Sequence, residues 1–223
     1  GIPHFAVSIA YQNKGRTEHA AVYDPIREEL FTASRGSGAY LNQKRIRVST
    51  RKSLDGAILA TAFPFRQPKL LPRYSRVFQA VFGKVEDFRR AGTASLDLAW
   101  TAAGRLDGYF EAGLQPWDVA AGALLVREAG GVVMDWQGSD DAEHSGTILA
   151  AGGIENARLL AQRDRHVAEL QALLDIAEAG GGASDERDLA QQVGAVGDGI
   201  GCSADRGQRV AQRQALRLDA RQR

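Results

Sequence analysis

Near residue 56 the hydrophobic pattern of this 223-residue chain changes period. Up to Ser49 the large apolar residues alternate with small or polar ones: Phe5, Val7 and Ile9, then Ala20, Val22 and Tyr23 after "NKGRTE". A period of two marks a half-buried strand, and a glycine between two such runs marks a hairpin. "ELFTA" reads as a third strand, and "RGSGAYLNQKRIRVS" as a turn, a short strand and a polar edge. From Gly56 to Phe63 the run "GAILATAF" is almost continuously apolar, the pattern of a strand covered on both faces. Helices and strands alternate after it. Helices are predicted over Tyr74–Phe82 and Thr93–Gly104 and after Asp118, strands in "LDGYFEAG", "GVVMDW" and "TILAAG", and one long amphipathic helix from Ile154 to about Ile176. An antiparallel half followed by an alternating half predicts an α/β (α+β) fold built in layers.

Composition narrows the function classes. A hydrophobic fraction of 44% and a charged fraction of 25% are ordinary for a globular domain. A net charge of +1 creates no global field for nucleic acid or an anionic membrane. The single cysteine, Cys202, excludes an internal disulfide and a cysteine-based zinc cluster. No apolar run is long enough to span a bilayer, so the default location is cytoplasmic. After Trp136 there is no Phe, Tyr or Trp, and from Gly180 the chain is mostly Gly, Ala, Gln, Asp and Arg. A segment with so little to bury is expected to be disordered. Its Arg-rich end, Arg206 to Arg223, lacks aromatics for base stacking and carries interleaved acids, which argues against RNA. At the other end Phe5–Ala10 reads as a core strand with no lead-in, so an upstream part is expected to be missing.

The stretch "QPWDVAAGALLVREAGG", Gln115 to Gly131, reads as a helix with both ends marked. Asp118 stands where an N-cap or first-turn acid accepts free backbone N–H groups. Gly130 and Gly131 supply the left-handed residue that stops a helix. Ala120, Ala121 and Gly122 are small enough for close packing on a neighbouring strand, and Trp117 is placed to shield one side of Asp118.

The text "GTASLDLAWTAAGRLDGYFEAGLQPWDVAAGALLVREAGG" closely resembles the inositol monophosphatase family, in particular its bacterial members. Its W-D-x-A-A-G-x-x-L-x-x-E-A-G-G run matches that family's C-terminal signature. The resemblance extends back through "PHFAVSIAYQNKGRTEHAAVYDPIREELFTASRGSGAYLN" and covers about residues 1–172, leaving 173–223 as a low-complexity tail. It implies an α/β/α/β/α sandwich of the sugar-phosphatase type. It also implies Mg²⁺-dependent hydrolysis of phosphate monoesters of small polyols, inositol monophosphate among them, and a homodimer. On the matching positions Asp118 is a metal ligand that also meets the substrate's hydroxyls. Gly92, Thr93 and Ala94 match the substrate-contacting helix start, beside the plainer reading of a Thr-capped helix. Glu111 matches the carboxylate that holds inositol hydroxyls, beside the plainer reading of a solvated strand end. Asp97 and Glu128 read as structural. His4, His19, His144 and His166 read as surface or packing residues, and Arg89 and Arg90 as a solvated pair rather than a phosphate contact.

The family's other metal ligands come from an upstream Glu and a D-P-[IL]-D-G-T motif, which neither "DPIREE" at Asp24 nor the Asp-Gly pairs at Asp55 and Asp107 reproduce. In the family that motif lies just before the counterpart of "PHFAVSIA", so roughly the first third of the domain is expected to be absent. Two readings follow. The chain is part of a polyol-phosphate phosphatase whose activity is weak or lost here, or it is a non-catalytic remnant acting as a binding or oligomerisation module.

Overall fold

The computed structural model describes residues 1–152, which lie in one compact unit. The helix expected from Ile154 and the tail expected from Gly180 fall outside the described residues. The first sheet is an antiparallel meander of β1 (Val7–Asn13), β2 (Arg16–Asp24), β3 (Glu29–Ser34), β4 (Gly38–Leu41) and β5 (Lys44–Arg45), in that spatial order. Lys14 and Gly15 join β1 to β2 with φ values of 49 and 75°, the two-residue turn whose twist suits a hairpin.

One face of this sheet is core, with Ala20, Val22, Phe31, Ala33 and Ala39 buried. The opposite face is open. Across β1, β2 and β3 it presents three registered rows: Val7–Tyr23–Leu30, Ile9–Ala21–Thr32 and Tyr11–His19–Ser34. Val7, Ile9 and Tyr11 are each more than half exposed. The strand read as core is thus the sheet's edge, and its large residues point outward. Alternation shows that a strand has two faces, not which face is buried. The inward positions of this segment are Ala6 and Ala10, packed against the core.

The second sheet holds β6 (Ile58–Thr61), β7 (Asp87–Arg89), β8 (Gly108–Ala112), β9 (Val132–Met134) and β10 (Thr147–Ala151), ordered β7-β6-β8-β10-β9. β6 runs parallel to β7 and β8, while β10 is antiparallel to β8 and β9. Leu59, Ala60 and Thr61 are all buried, as the continuous apolar run requires.

Helices α2 (Ala94–Ala102) and α3 (Pro116–Glu128) lie between the two sheets, and α1 (Leu71–Val81) covers the far face of the second. Val119 to Val126 are buried without a break, the pattern of a helix enclosed on all sides. The layers are therefore β/α/β/α. Leu96, Leu98, Leu124, Leu125, Phe31 and Ile148 meet in the middle with at most 1% exposure, and each such side chain contributes roughly 1.5–3 kcal/mol. Gly122 does serve close packing, but its neighbour is a helix and not the expected strand. A Cβ at 122 would stand 2.5 Å from the Leu98 Cβ of α2.

Candidate active site

The carboxyl ends of the three parallel strands open on one cleft with about 240 Å³ of room for water. β6 leads into Ala62 and Phe63, β7 into Arg90, and β8 supplies Glu111 and leads into Gly113. The starts of α2 and α3 add Gly92, Ala94 and Asp118. In α/β sheets this is where ligands bind, because the loops there diverge and helix N-termini face inward.

Asp118 reaches the cleft through the first turn of α3. Pro116 occupies the first helical position and Gln115 the cap. The Asp118 carboxylate reaches back, its Oδ2 accepting the Gln115 backbone N–H at 2.9 Å. Asp118 is therefore the first-turn acid of the two roles its sequence position allowed. Its Oδ1 accepts no hydrogen bond from a described residue. Trp117 is 71% exposed, so its ring stands in solvent rather than shielding the carboxylate.

Glu111 lies on β8, two residues beyond Tyr109 on the same face, and the fully buried Tyr109 hydroxyl donates to Glu111 Oε2. Burial pushes the Glu111 carboxyl above its ordinary range. The Tyr109 hydrogen bond and the Arg90 charge oppose that rise, and the Asp118 charge adds to it. Burial, then the Glu111 charge, raises Tyr109 well above an ordinary phenol, so it remains a donor.

Gly92 has φ of +99°, and a Cβ there would lie 2.5 Å from Arg90 Nη1. The positive φ demands glycine, whereas the guanidinium is the end of a flexible side chain and could yield. Thr93 is the extended cap residue of α2, but its side chain makes no cap bond; its hydroxyl donates instead to the His4 carbonyl at 3.3 Å. Of the three residues at this helix start, Gly92 and Ala94 line the cleft, and Thr93 ties down the chain's first segment.

Asp97 is 1% exposed, and neither carboxylate oxygen has a hydrogen-bond partner. Burial, reinforced by the Glu111 charge and weakly opposed by Arg90, pushes its carboxyl up to about 8. Glu128 is structural as expected, accepting the backbone N–H groups of Gly36 and Gly38 at 2.8 Å each. Asp24 closes the turn after β2 by accepting the N–H groups of Ile26 and Arg27. His19 and His144 bond to Ser34 and Asp141, and His4 packs on Trp100; His166 lies outside the described residues.

Among the described residues no three His, Cys, Asp or Glu side chains group so as to hold a metal. Asp118 and Glu111 each offer one unpaired carboxylate oxygen. That falls short of the near-octahedral oxygen set Mg²⁺ takes, so these residues alone do not fit the ion. Three features of the cleft escaped the sequence: Arg90, the Phe63–Gln67 loop and the Tyr109 donor. The available signal was that "ATAF", "DFRR" and "GYFE" are each the carboxyl end of a strand, which becomes informative once β7-β6-β8 is known to be parallel.

The model of the family described as "Inositol monophosphatase family" matches residues 1–168. Nus factor SuhB of Escherichia coli (strain K12) is 55% identical over 164 residues, covering 73% of this chain and 61% of that protein. The chain thus spans about three fifths of that relative's length. The solved structure of extragenic suppressor protein suhB from Bartonella henselae is similar at a TM-score of 0.69 and 45% identity, covering 73% of this chain and 62% of that one. Inositol monophosphatase from Anabaena (Nostoc) sp. PCC 7120 is similar at 0.68 and 36%, covering 72% and 64%. The pairing of an antiparallel meander with a mixed sheet around two buried helices agrees with these relatives, and the chain belongs to the inositol monophosphatase family.

Proposed function

We propose that this chain carries the polyol-binding wall of a Mg²⁺-dependent phosphatase acting on phosphate monoesters of small polyols such as inositol monophosphate. The observation that carries the reading is the convergence of Glu111, Asp118, Gly92 and Ala94 on one cleft at the carboxyl ends of three parallel strands. Glu111, held on one side by Tyr109, turns its other oxygen to the polyol hydroxyls. Asp118 gives one oxygen to the Gln115 N–H, which fixes its rotamer; its second oxygen is the one that would meet a Mg²⁺ ion, were further ligands supplied. The N–H groups at the open start of α2 receive a substrate oxygen. A homodimer belongs to the same proposal.

The test is phosphate release from inositol 1-phosphate with Mg²⁺ by three proteins. They are the chain itself, the chain joined to an upstream segment bearing the family's D-P-[IL]-D-G-T motif, and that fusion carrying Asp118→Asn. The fusion is expected to turn over, the chain alone to be far slower, and Asp118→Asn to remove most of the fusion's activity. Turnover by the chain alone at the fusion's rate, or an unimpaired Asp118→Asn, overturns the assignment.

The 55% identity to a protein named a Nus factor supports a second reading, a Nus-factor role. Replacing SuhB in E. coli K12 with the fusion, with and without Asp118→Asn, separates the two. A Nus-factor role that does not use the cleft survives the substitution.

A further inference from the structure

We propose that Asp97 is a positioning residue of the cleft, an uncharged carboxylic acid buried behind Glu111 that leaves the negative charge of this wall on Glu111, where it faces the substrate. This deepens the polyol-phosphate reading of the cleft and rests on it. The sequence context of Asp97 reads as structural, yet its side chain bonds to nothing: both oxygens are buried and without a hydrogen-bond partner. A buried polar group without partners destabilises a fold, so the carboxyl is not there to hold α2. Its place is against the cleft. Ala94, at the open end of α2, lines the cleft. Asp97 follows it by three residues, on the same side of the helix and one turn deeper. α2 packs on β8, which carries Tyr109 and Glu111. The charges that act on Asp97 are those of Glu111 and Arg90, while Asp118 of α3 acts on Glu111 and Tyr109. Asp97, Glu111, Tyr109 and Arg90 thus form one cluster, with Asp97 at its dry end.

Environment divides the charge between the two acids. Glu111 is half-buried, accepts the Tyr109 hydroxyl on one oxygen and lines the cleft. Asp97 has no donor and is closed off from water. Two acids that feel each other resist ionising together, and the one without donors keeps the proton. Burial, then the Glu111 charge, accordingly raises Asp97 to about 8. Arg90 draws both acids toward ionisation, but only Glu111 has the Tyr109 donor as well. Arg89 is ion-paired with Asp87, whereas Arg90 lines the cleft over the Phe65 ring, so the two arginines are not one solvated pair. While Asp97 is uncharged, Glu111 meets the hydroxyls of a polyol as an acceptor. An ionised Asp97 pushes Glu111 back toward its protonated form and repels a phosphate. Binding of a polyol phosphate is therefore strongest below the pH at which the folded Asp97 ionises and is lost above it.

The experiment follows the carboxyl groups themselves. The full chain, with carbon-13 in its aspartate and glutamate carboxyls, is titrated by NMR from the ordinary carboxyl range, about 4, to about 10. The Glu111 resonance is expected to show two steps: its own, and a smaller one at the pH where the Asp97 resonance moves. Asp97→Asn, which keeps an uncharged group in place, abolishes the smaller step. The wild-type curves need no variant: an Asp97 that titrates in the ordinary range, or a Glu111 curve with no step in common with it, overturns the proposal. A small step that survives Asp97→Asn overturns it equally. Adding inositol 1-phosphate to the same samples reads the consequence. Its affinity is expected to fall roughly tenfold as Asp97 ionises, the scale of one added charge, and Asp97→Asn removes that fall. A wild-type affinity that holds steady through the Asp97 step overturns the positioning role. If inositol 1-phosphate does not bind at any pH, the polyol reading fails, and the division of charge stands or falls on the carboxyl curves.

Discussion

Leu98 of α2 and Gly122 of α3 meet so closely that a Cβ on residue 122 would stand 2.5 Å from the Leu98 Cβ and 2.6 Å from its Cδ1. Both residues sit in the layer between the sheets. Gly122→Ala brings two opposed effects. Helix propensity improves by about 1 kcal/mol, while overpacking a filled core costs about 1–3 kcal/mol. Overpacking wins, because the nearest atom is the Leu98 Cβ, which moves only with the α2 backbone. A net loss of stability in urea denaturation is expected, and a gain would show that α2 and α3 can part.

Asp118 has a stabilising task separable from its proposed catalytic one. Asp118→Asn keeps an oxygen for the Gln115 N–H and forfeits only the charge near the helix start, about 0.3–1 kcal/mol. Asp118→Ala loses the acceptor as well and is expected to cost about 0.5–2 kcal/mol. Chemical denaturation of the two variants ranks them. A larger loss in Asp118→Asn than in Asp118→Ala would mean the carboxylate does not cap α3.

Two aspartates give stability opposite pH dependences. Burial, then the Glu111 charge, raises Asp97 in the folded chain to about 8 from an ordinary 3.8. Between those values the unfolded chain has released the proton that the folded chain still holds. Stability attributable to Asp97 therefore falls as pH rises through the window, at up to about 1.4 kcal/mol per pH unit. Asp97→Asn is expected to gain on wild type at neutral pH relative to pH about 4. Asp24 runs the other way. Burial pushes its carboxyl up, but the Arg27 side chain, the N–H groups of Arg27 and Ile26, and the Arg27 charge outweigh it and hold it below 3.8. Its contribution is present above the unfolded value and lost as acid protonates the folded group. Denaturation midpoints of wild type and Asp97→Asn between pH 3.8 and about 8, and of wild type and Asp24→Asn below pH 3.8, check both signs.

Glu128 joins the end of α3 to the turn between β3 and β4 through the N–H groups of Gly36 and Gly38. Glu128→Ala leaves both donors without their acceptor and is expected to cost about 1–3 kcal/mol. Glu128→Gln keeps one carbonyl oxygen and should fall between. Amide exchange at Gly36 and Gly38 reports the change directly: both protons speed up in Glu128→Ala. Unchanged exchange would mean the turn is held by its own backbone.

The open rows of the first sheet are apolar at Val7, Ile9, Tyr23 and Leu30. Exposed apolar rows on an edge strand invite association. Ile9→Lys should alter stability by no more than about 0.5 kcal/mol, as for most exposed sites. It should also reduce concentration-dependent self-association in sedimentation velocity. A large loss of stability would mean the row is packed in solution.

Local periodicity made the helices and most strands legible, the central β6 and the two glycines after α3 among them, but the three-residue β7 is too short to show a period and was not predicted. The outward face of β1 was not legible, because Val7 and Ile9 alternate with Ala6 and Ala10 in the same way whichever side is buried. Asp118 was legible as a helix-start acid, since Pro116, Asp118 and Gly130 mark the helix by position alone. Thr93 shows the limit of that logic: it occupies the cap position, yet its hydroxyl serves the His4 carbonyl. Arg90 and Phe65 share the cleft through strand order, a long-range property that no window of sequence contains.

The meander of the first sheet carries a consequence for synthesis on the ribosome. Each of its strands pairs with its neighbour in the chain, so every loop to be closed is short, and short closures are fast. All five strands have their partners once Arg45 has emerged. The cleft assembles much later, because it needs β6, β7 and β8 in register and the start of α3 seated between the sheets. A growing chain therefore holds a paired sheet, apolar on both faces, for the time it takes to make everything through Glu128. Chaperone demand should peak in that interval, before the residues proposed for binding have met one another.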